Sequence, residues 1–371
     1  VAEQAVIELG EEAGEFHAKR RQTKVRRRTL TGGRRAWGVG NGPLRGVGNG
    51  EMDNGEWGVG SGPNRMRGLA ADAESSLMTT HAHLPSRCER ITLRGLTCNV
   101  RHWGAEGAPR LFMLHGRQDA SPTFQFVVDA LKRGWHVIAP DWRGHGASGW
   151  QHAPYAIADL CADLEAFLLH YSPDVPACIV GHSMGARVAA LVAGLRPERV
   201  GRLVMIDHLG LLHDTPDSAP RRMQAWLDAF GAAPPQMRGY PERAALAARL
   251  LQANPRLTAE RAAFLAAEIG HRRDDGLFAM AFDPWLKVMP PTPYIPDDEM
   301  ALWRLIAAPV LHVIADAGFV QQRFGRDPAE LARRIACFAH HERVDIEDSG
   351  HNTQHDQPER LAAAIEAFCG G

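Results

Sequence analysis

Ser183 has the surroundings in this sequence that most strongly indicate covalent chemistry. It is the centre of a Gly-x-Ser-x-Gly pentapeptide, residues 181–185, which follows an apolar run at 177–180 and precedes a helical pattern at 186–193. A sharp turn from strand to helix exposes the serine hydroxyl, and the two glycines prevent collisions within that turn. We therefore predict that Ser183 is a nucleophile, which requires a base and an orienting carboxylate elsewhere in the chain.

His351 is the expected base. It ends the sequence Asp-Ser-Gly-His, which follows the strand-like run 343–346 and precedes the last helical pattern. His355 is the nearest competitor, but it lies closer to the final helix, where a surface or capping role is expected. His115 and His182 are expected to form structural hydrogen bonds rather than to transfer protons.

Acyl transfer also needs two backbone N–H groups that face the developing negative charge. Met184, the residue after the nucleophile, is expected to supply one of them. The other is expected from the loop at residues 114–119, where Gly116 lets the backbone approach the serine and Arg117 donates its amide.

The composition is that of one large domain with additional segments. The chain has 371 residues, is 45% hydrophobic, and carries a formal charge of -1, which indicates no polyanionic partner. Its six cysteines include no Cys-x-x-Cys pair, which favours buried thiols over disulfides or a metal site. No apolar run has the roughly 18 to 20 residues of a membrane helix, and the amino terminus lacks a secretory signal. We expect a soluble, cytoplasmic protein that binds a small molecule and needs neither a metal nor an organic cofactor.

Residues 1–77 differ from the rest of the chain. They are rich in Gly, Arg and Asn and contain few core-forming residues, so we expect a disordered tail. Their two copies of a Trp-Gly-Val-Gly-x-Gly-Pro sequence are too few for a solenoid. A basic cluster at residues 19–35 could contact nucleic acid, but a solvated tail is the favoured interpretation. An alternative is that the natural protein starts at Met78.

From about residue 87 the sequence alternates between strands and helices, which predicts a doubly wound α/β sheet with two hairpin strands at its start. The later strand-like runs are short and apolar, as in buried parallel strands. The predicted strands are residues 90–93, 97–100, 110–114, 136–139, 178–180, 203–206, 310–314 and 343–346. The predicted amphipathic helices between them include residues 124–132, 157–170, 328–338 and 358–368.

Residues 209–302 interrupt this alternation. They contain no convincing strand, but helical patterns at 221–230, 243–252 and 259–269 are separated by prolines. An insertion after the sixth strand would lie over the carboxyl ends of the strands, where ligands bind in such sheets. We therefore predict a helical cap. Its aromatic residues suggest an apolar pocket, although such residues more often belong to a core; they are Trp226, Phe230, Phe278, Phe282, Trp285 and Trp303.

Together these motifs resemble the α/β-hydrolase superfamily over about residues 87–370. The resemblance is carried by His115-Gly116, by residues 141–148 after the fourth strand, by the pentapeptide 181–185 and by Gly350-His351. It implies a mostly parallel sheet of about eight strands with a helical cap after the sixth. The pentapeptide resembles those of capped esterases, monoglyceride lipases, cofactor-free haloperoxidases and carbon–carbon bond hydrolases. A serine at its centre argues against the haloalkane dehalogenase and epoxide hydrolase branches.

The triad carboxylate departs from the pattern of that superfamily. Relatives commonly carry it in the loop after the seventh strand, but this chain has Gly318 where that acid would fall. Asp316 lies two positions earlier and directly ends the strand. Part of the superfamily has the acid after the sixth strand, where Asp207 is available. We favour Asp316 and keep Asp207 as the alternative.

The resulting hypothesis is a serine hydrolase that cleaves an ester or similar carbonyl compound of modest size. Ser183 attacks the carbonyl, His351 moves the proton, the amides of Met184 and Arg117 hold the oxyanion, and water cleaves the acyl-enzyme. A carbon–carbon bond hydrolase and a perhydrolase or haloperoxidase are alternatives on the same fold. A non-catalytic binding protein is the alternative from another class. The sequence does not predict the oligomeric state.

Overall fold

The structure, a computed structural model, describes residues 83–231 and 235–370. The expected tail at residues 1–77, with its basic cluster, and the boundary at Met78 lie outside these described residues. In the part of the chain that is described, no helix has the length and apolar character needed to cross a membrane.

A sheet of eight strands forms the centre of the described structure, in the order β1-β2-β4-β3-β5-β6-β9-β10. Strand β2 pairs antiparallel with both β1 and β4, and the other neighbours are parallel. The predicted fold class is confirmed, since each of the eight predicted runs forms one strand of this sheet. The strands are β1 (Ser86–Leu93), β2 (Leu96–Trp103), β3 (Arg110–Leu114), β4 (His136–Pro140), β5 (Ala177–His182), β6 (Val200–Ile206), β7 (Gly270–Arg272), β8 (Phe278–Met280), β9 (Val310–Ala315) and β10 (His341–Ile346).

Helices cover both faces of the sheet because the central strands are apolar on both sides. In β3, Phe112 and Leu114 pack toward one face, and Leu111 and Met113 pack toward the other, as the alternation of side chains along a strand requires. Helices α2 and α3 cover the first face, and α1 and α11 cover the second. The helices are α1 (Gln125–Ala130), α2 (Ile157–Tyr171), α3 (Met184–Leu195), α4 (Ala219–Gly231), α5 (Arg243–Ala253), α6 (Ala259–Glu268), α7 (Pro296–Trp303), α8 (Phe319–Phe324), α9 (Pro328–Ile335), α10 (Thr353–Asp356) and α11 (Pro358–Cys369).

The cap is inserted between β6 and β9, as predicted, and contains α4 to α7. The expectation that it holds no strand is wrong, since β7 and β8 form an antiparallel hairpin. These strands have only three residues each, which is too short for a recognisable alternation of apolar and polar residues. Gly276, at φ +83°, lies in the turn between them.

Asp283 attaches the cap to the loop after β4. Its fully buried carboxylate accepts hydrogen bonds from the Tyr155 hydroxyl (2.7 Å), the His152 amide (2.9 Å) and the Trp285 amide (3.0 Å). Next to it, the Asp283 amide donates to the carbonyl of Gly144 over 2.7 Å. The cap is therefore held at the carboxyl ends of the strands by buried polar contacts.

We expect Asp283→Ala to lower the free energy of unfolding by about 3 kcal/mol, because it leaves buried donors without an acceptor. Urea unfolding monitored by tryptophan fluorescence measures this loss. Asp274→Ala, at an exposed cap residue, is the matched control and should change stability by less than about 0.5 kcal/mol. Equal stability of the two variants would contradict the anchoring role.

Candidate active site

Ser183 lies at the turn between β5 and α3 and has a strained backbone, with φ 51° and ψ -113°. The flanking glycines are required by close approaches. A Cβ at Gly181 would lie 2.6 Å from the backbone of Ala186, and one at Gly185 would collide with the carbonyl of Leu114. The predicted strand–turn–helix arrangement is therefore present, and it presents the Ser183 hydroxyl to the loops above the sheet.

Ser183, His351 and Asp207 form a continuous hydrogen-bonded series. The Ser183 hydroxyl lies 2.9 Å from Nε2 of His351, and Nδ1 of His351 lies 2.6 Å from Oδ2 of Asp207. The Asp207 side chain is fully buried, and the His351 side chain is 13% exposed. With Nδ1–H donating to the carboxylate, Nε2 is free to accept the serine proton, which is the arrangement that activates a serine.

The preference for Asp316 as the residue that orients His351 is wrong. Asp316 is exposed, and its carboxylate accepts the amides of Ser349 (2.9 Å) and Asp348 (3.0 Å). The bond from Ser349 is the main cause of the lowered pKa of Asp316. Asp316 thus holds the loop that carries His351, and the alternative carboxylate, Asp207, contacts the imidazole.

Gly318 gives the physical reason for this exchange of carboxylates. A Cβ at position 318 would collide with the carboxylate of Asp207, so the place of the usual acid is already occupied. The amides of Phe319 (2.7 Å) and Val320 (3.3 Å) donate to that carboxylate and fix it. With Asp207 in this place, the displaced acid no longer supports the alternative of a non-catalytic binding protein.

Phe319 is a neighbour of the triad that sequence reasoning missed. Its ring stacks on the imidazole of His351, with 3.7 Å between centroids and 16° between planes. Phe319 directly follows Gly318, in the loop after the seventh strand of the main sheet. Its place in that loop was the sequence feature that could have indicated contact with the triad. The stacked ring restricts the rotation of His351 and covers one of its faces.

The two amides predicted for the oxyanion have no hydrogen-bond acceptor within the described ranges. They belong to Met184, at the first turn of α3, and to Arg117, in the loop after β3. This loop lies against the turn that carries Ser183, because a Cβ at Gly116 would be 2.9 Å from Nδ1 of His182. Nε2 of His145 accepts the next amide, that of Gln118, over 3.1 Å and fixes the loop.

The histidines expected to be structural form fixed hydrogen bonds. Nδ1–H of His115 donates to the carbonyl of Gly116 over 2.7 Å, and burial lowers the pKa of His115 to about 3. His182 donates to the carbonyl of His351 over 2.8 Å, and burial places its pKa well below the ordinary value. His355 differs from expectation, since it is buried and lies 2.6 Å from the hydroxyl of Thr123. The short helix α10 turns its side chain inward.

The buried histidines predict that the protein loses stability in weak acid. Burial lowers the pKa of His115, His145, His312 and His355 to about 3, against an ordinary value of 6.5. The unfolded chain therefore binds protons below pH 6.5 that the folded chain takes up only near pH 3. Each histidine should remove on the order of 1 kcal/mol of unfolding free energy at pH 5.5, and stability should be complete above about pH 7.

Urea unfolding between pH 5 and pH 8 measures this dependence. His312→Leu is the informative variant, because both ring nitrogens of His312 are buried without a hydrogen-bond partner among the described residues. It should reduce the proton uptake on unfolding by about one near pH 5.5. A stability that does not change from pH 7 to pH 5.5 would contradict the neutral, buried state of these side chains.

Between residues 83 and 370, apart from the undescribed 232–234, no group of three or more His, Cys, Asp or Glu side chains is arranged to hold a metal ion. The six cysteines are all free thiols.

The match with a known family covers six of the eight strands of the main sheet and the residues of the candidate site. Residues 109–358 match the family model of the alpha/beta hydrolase fold. Esterase Rv0045c of Mycobacterium tuberculosis is 29% identical over 268 residues, which are 71% of this chain and 83% of that protein. Its solved structure is similar with a TM-score of 0.60 at 24% identity, covering 77% of this chain and 92% of that chain. The thioesterase domain from the curacin biosynthetic pathway gives a TM-score of 0.68 at 25% identity, covering 76% and 99%.

Other curated relatives are matched over less than half of their length. A 2-(acetamidomethylene)succinate hydrolase of Mesorhizobium japonicum is 33% identical over 139 residues, which are 38% of this chain and 46% of that protein. A serine hydrolase-like protein of Danio rerio is 35% identical over 30% of this chain and 34% of its own length. The chain belongs to the α/β-hydrolase family. The fold and these relatives support an enzyme of the hydrolase class.

Proposed function

We propose that the protein is a serine hydrolase that cleaves an ester or related carbonyl compound of modest size through an acyl-enzyme. The observation that carries this proposal is the hydrogen-bonded series from Ser183 through His351 to Asp207, with 2.9 Å and 2.6 Å between the bonded atoms. A general base, an orienting carboxylate and a partly exposed serine on a strained turn together constitute an activated nucleophile.

In the first half of the reaction, the Ser183 oxygen attacks the substrate carbonyl while His351 Nε2 takes the hydroxyl proton. Asp207 stabilises the imidazolium that forms, and the amides of Met184 and Arg117 donate to the oxyanion. His351 then gives its proton to the leaving alcohol as the bond to the acyl carbon breaks. In the second half, water attacks the acyl-enzyme, His351 takes a proton from that water, and Ser183 recovers it as the acid leaves.

We further propose that the substrate is a small molecule with an apolar part. Trp226, Phe230 and Trp285 support this, because their rings form a connected cluster in the cap, with centroids 5.0 Å and 5.4 Å apart. Trp303 and Phe282, which the sequence placed in the same group, are instead buried core residues. The cytoplasmic location and the disordered tail at residues 1–77 stay predictions from the sequence.

Labelling with a fluorophosphonate, followed by peptide mass spectrometry, tests the nucleophile directly. We expect a single adduct on Ser183. Stopped-flow measurement with p-nitrophenyl esters of two to eight acyl carbons should show a burst of p-nitrophenol, because an acyl-enzyme accumulates before water cleaves it. Absence of both the adduct and ester turnover would reject this function, whereas an adduct on Ser183 without ester turnover would favour carbon–carbon bond cleavage.

A further inference from the structure

Arg323 lies close to the triad on α8, one helical turn after Phe319. Its guanidinium carbon is 4.8 Å from the centroid of the Phe319 ring, and that same ring stacks on the imidazole of His351. A positive charge is thereby held near the catalytic histidine. Its side chain is only partly exposed.

The other arginines whose charges act on His208 have carboxylate partners. Nε of Arg187 donates to Glu299 over 2.5 Å, and Nε of Arg334 donates to Glu330 over 2.7 Å. Arg323 has no hydrogen-bond acceptor and no ion pair within the described ranges. Burial lowers the pKa of its guanidinium, and the nearby Asp207 carboxylate partly opposes that shift. A partly desolvated cation without an acceptor gains free energy when an anion binds to it.

His208 adds a second group without a protein partner. It follows Asp207 directly, is buried, and has its Nε2 atom without a hydrogen bond inside the described structure. Burial is the main cause of its lowered pKa, and the charges of Arg187 and Arg323 contribute to the same shift. A neutral imidazole can donate one N–H to an anion. His208 and Arg323 are therefore two groups near Asp207 that lack a hydrogen-bond partner for the buried nitrogen and for the guanidinium among the described residues.

We propose that Arg323 binds a carboxylate group of the substrate, so that the substrate is an ester or related compound with a carboxylate remote from the scissile carbonyl. This inference rests on the proposed serine hydrolase function. A single guanidinium offers a planar pair of N–H donors that matches a carboxylate. A phosphate dianion fits less well, because Asp207 adds a negative charge nearby.

Two matched esters test the proposal. Mono-p-nitrophenyl adipate and p-nitrophenyl hexanoate have acyl chains of the same number of carbons and differ in a terminal carboxylate. The quantity to measure is the ratio of kcat/KM for the anionic ester to that for the neutral ester. In Arg323→Gln this ratio should fall about 10-fold to 100-fold, the usual range for loss of a charged hydrogen bond, and the fall should appear mainly in KM.

Three controls separate recognition of the substrate carboxylate by Arg323 from support of the Phe319 ring. Arg326→Gln, at an exposed arginine on the same connection, should leave the ratio unchanged. Arg323→Lys keeps the charge but loses the paired donors, and should give an intermediate ratio. Fluorophosphonate labelling of Ser183 in each variant shows that the site is folded. Calorimetry should detect adipate binding to the wild type but weaker binding of inorganic phosphate.

The outcomes distinguish failure of carboxylate binding by Arg323 from failure of the serine hydrolase function. If Arg323→Gln lowers kcat/KM equally for both esters, Arg323 only supports the Phe319 ring and the proposal is overturned. The same conclusion follows if wild type binds no adipate, or binds phosphate more tightly than adipate. If wild type hydrolyses neither ester and Ser183 is not labelled, the serine hydrolase function itself fails, and adipate calorimetry still decides whether Arg323 is an anion site.

Discussion

Ser183→Ala should reduce kcat for ester hydrolysis by about a million-fold, because it removes the atom that forms the acyl-enzyme. The fold should be retained, since alanine occupies the same strained turn and the only side-chain hydrogen bond of Ser183 within the described residues is the one to His351. Rates with p-nitrophenyl butyrate and labelling with a fluorophosphonate measure the loss.

Ser218→Ala, at the start of the cap, is the matched control and should keep full activity and full labelling. Thermal melting of both variants should agree with the wild type to within a few degrees. If Ser183→Ala retained more than about a tenth of the wild-type rate, another nucleophile would be acting and the proposed mechanism would be wrong.

Asp207→Asn should lower kcat by about four orders of magnitude, because an amide in this place favours the wrong tautomer of His351 and cannot stabilise the imidazolium. Asp316→Asn is a closely matched control, since Asp207 and Asp316 follow the paired strands β6 and β9. It removes a carboxylate that contacts only the backbone around His351, and should cost less than about tenfold. A large loss in Asp316→Asn with a small one in Asp207→Asn would reverse the assignment.

Gly318 allows the same prediction to be tested by rescue. Its backbone is extended, with φ -83° and ψ -179°, a conformation that residues other than glycine also adopt. A Cβ there points at the site of the Asp207 carboxylate. Gly318→Asp should therefore restore part of the rate lost in Asp207→Gly, whereas Gly318→Ala in the wild type should lower the rate by displacing Asp207.

The sequence predicted those parts of the site that depend on local backbone geometry. The turn around Ser183 could be predicted because a strand, a tight turn and a helix each give a recognisable pattern in seventeen consecutive residues. His351 could be predicted because it lies in the loop between the last strand and the last helix. Strands of the main sheet were equally clear, since buried parallel strands need continuous apolar runs.

The acid could not be predicted in the same way, because two carboxylates end neighbouring strands and the path of the later loop decides which one reaches the imidazole. The amides of Phe319 and Val320 hold the Asp207 carboxylate in place. No sequence pattern predicts these backbone hydrogen bonds. The burial of His355 depends on the packing of α10 against Thr123, a contact between residues 232 positions apart in the chain. The hairpin of β7 and β8 was missed because three-residue strands carry too little pattern.

The position of Asp207 has a consequence for the evolution of new specificities in this protein. Asp207 is the first residue after β6, and it therefore also begins the polypeptide that forms the cap. In a relative whose acid follows the seventh strand, recombination can exchange the whole insertion and leave every catalytic group behind. Here a recombination junction at the end of β6 would replace Asp207 together with the cap. A functional chimaera must therefore have its first junction after Asp207 and must retain Gly318 after its second junction. Inheritance of the cap is thus linked to inheritance of the triad.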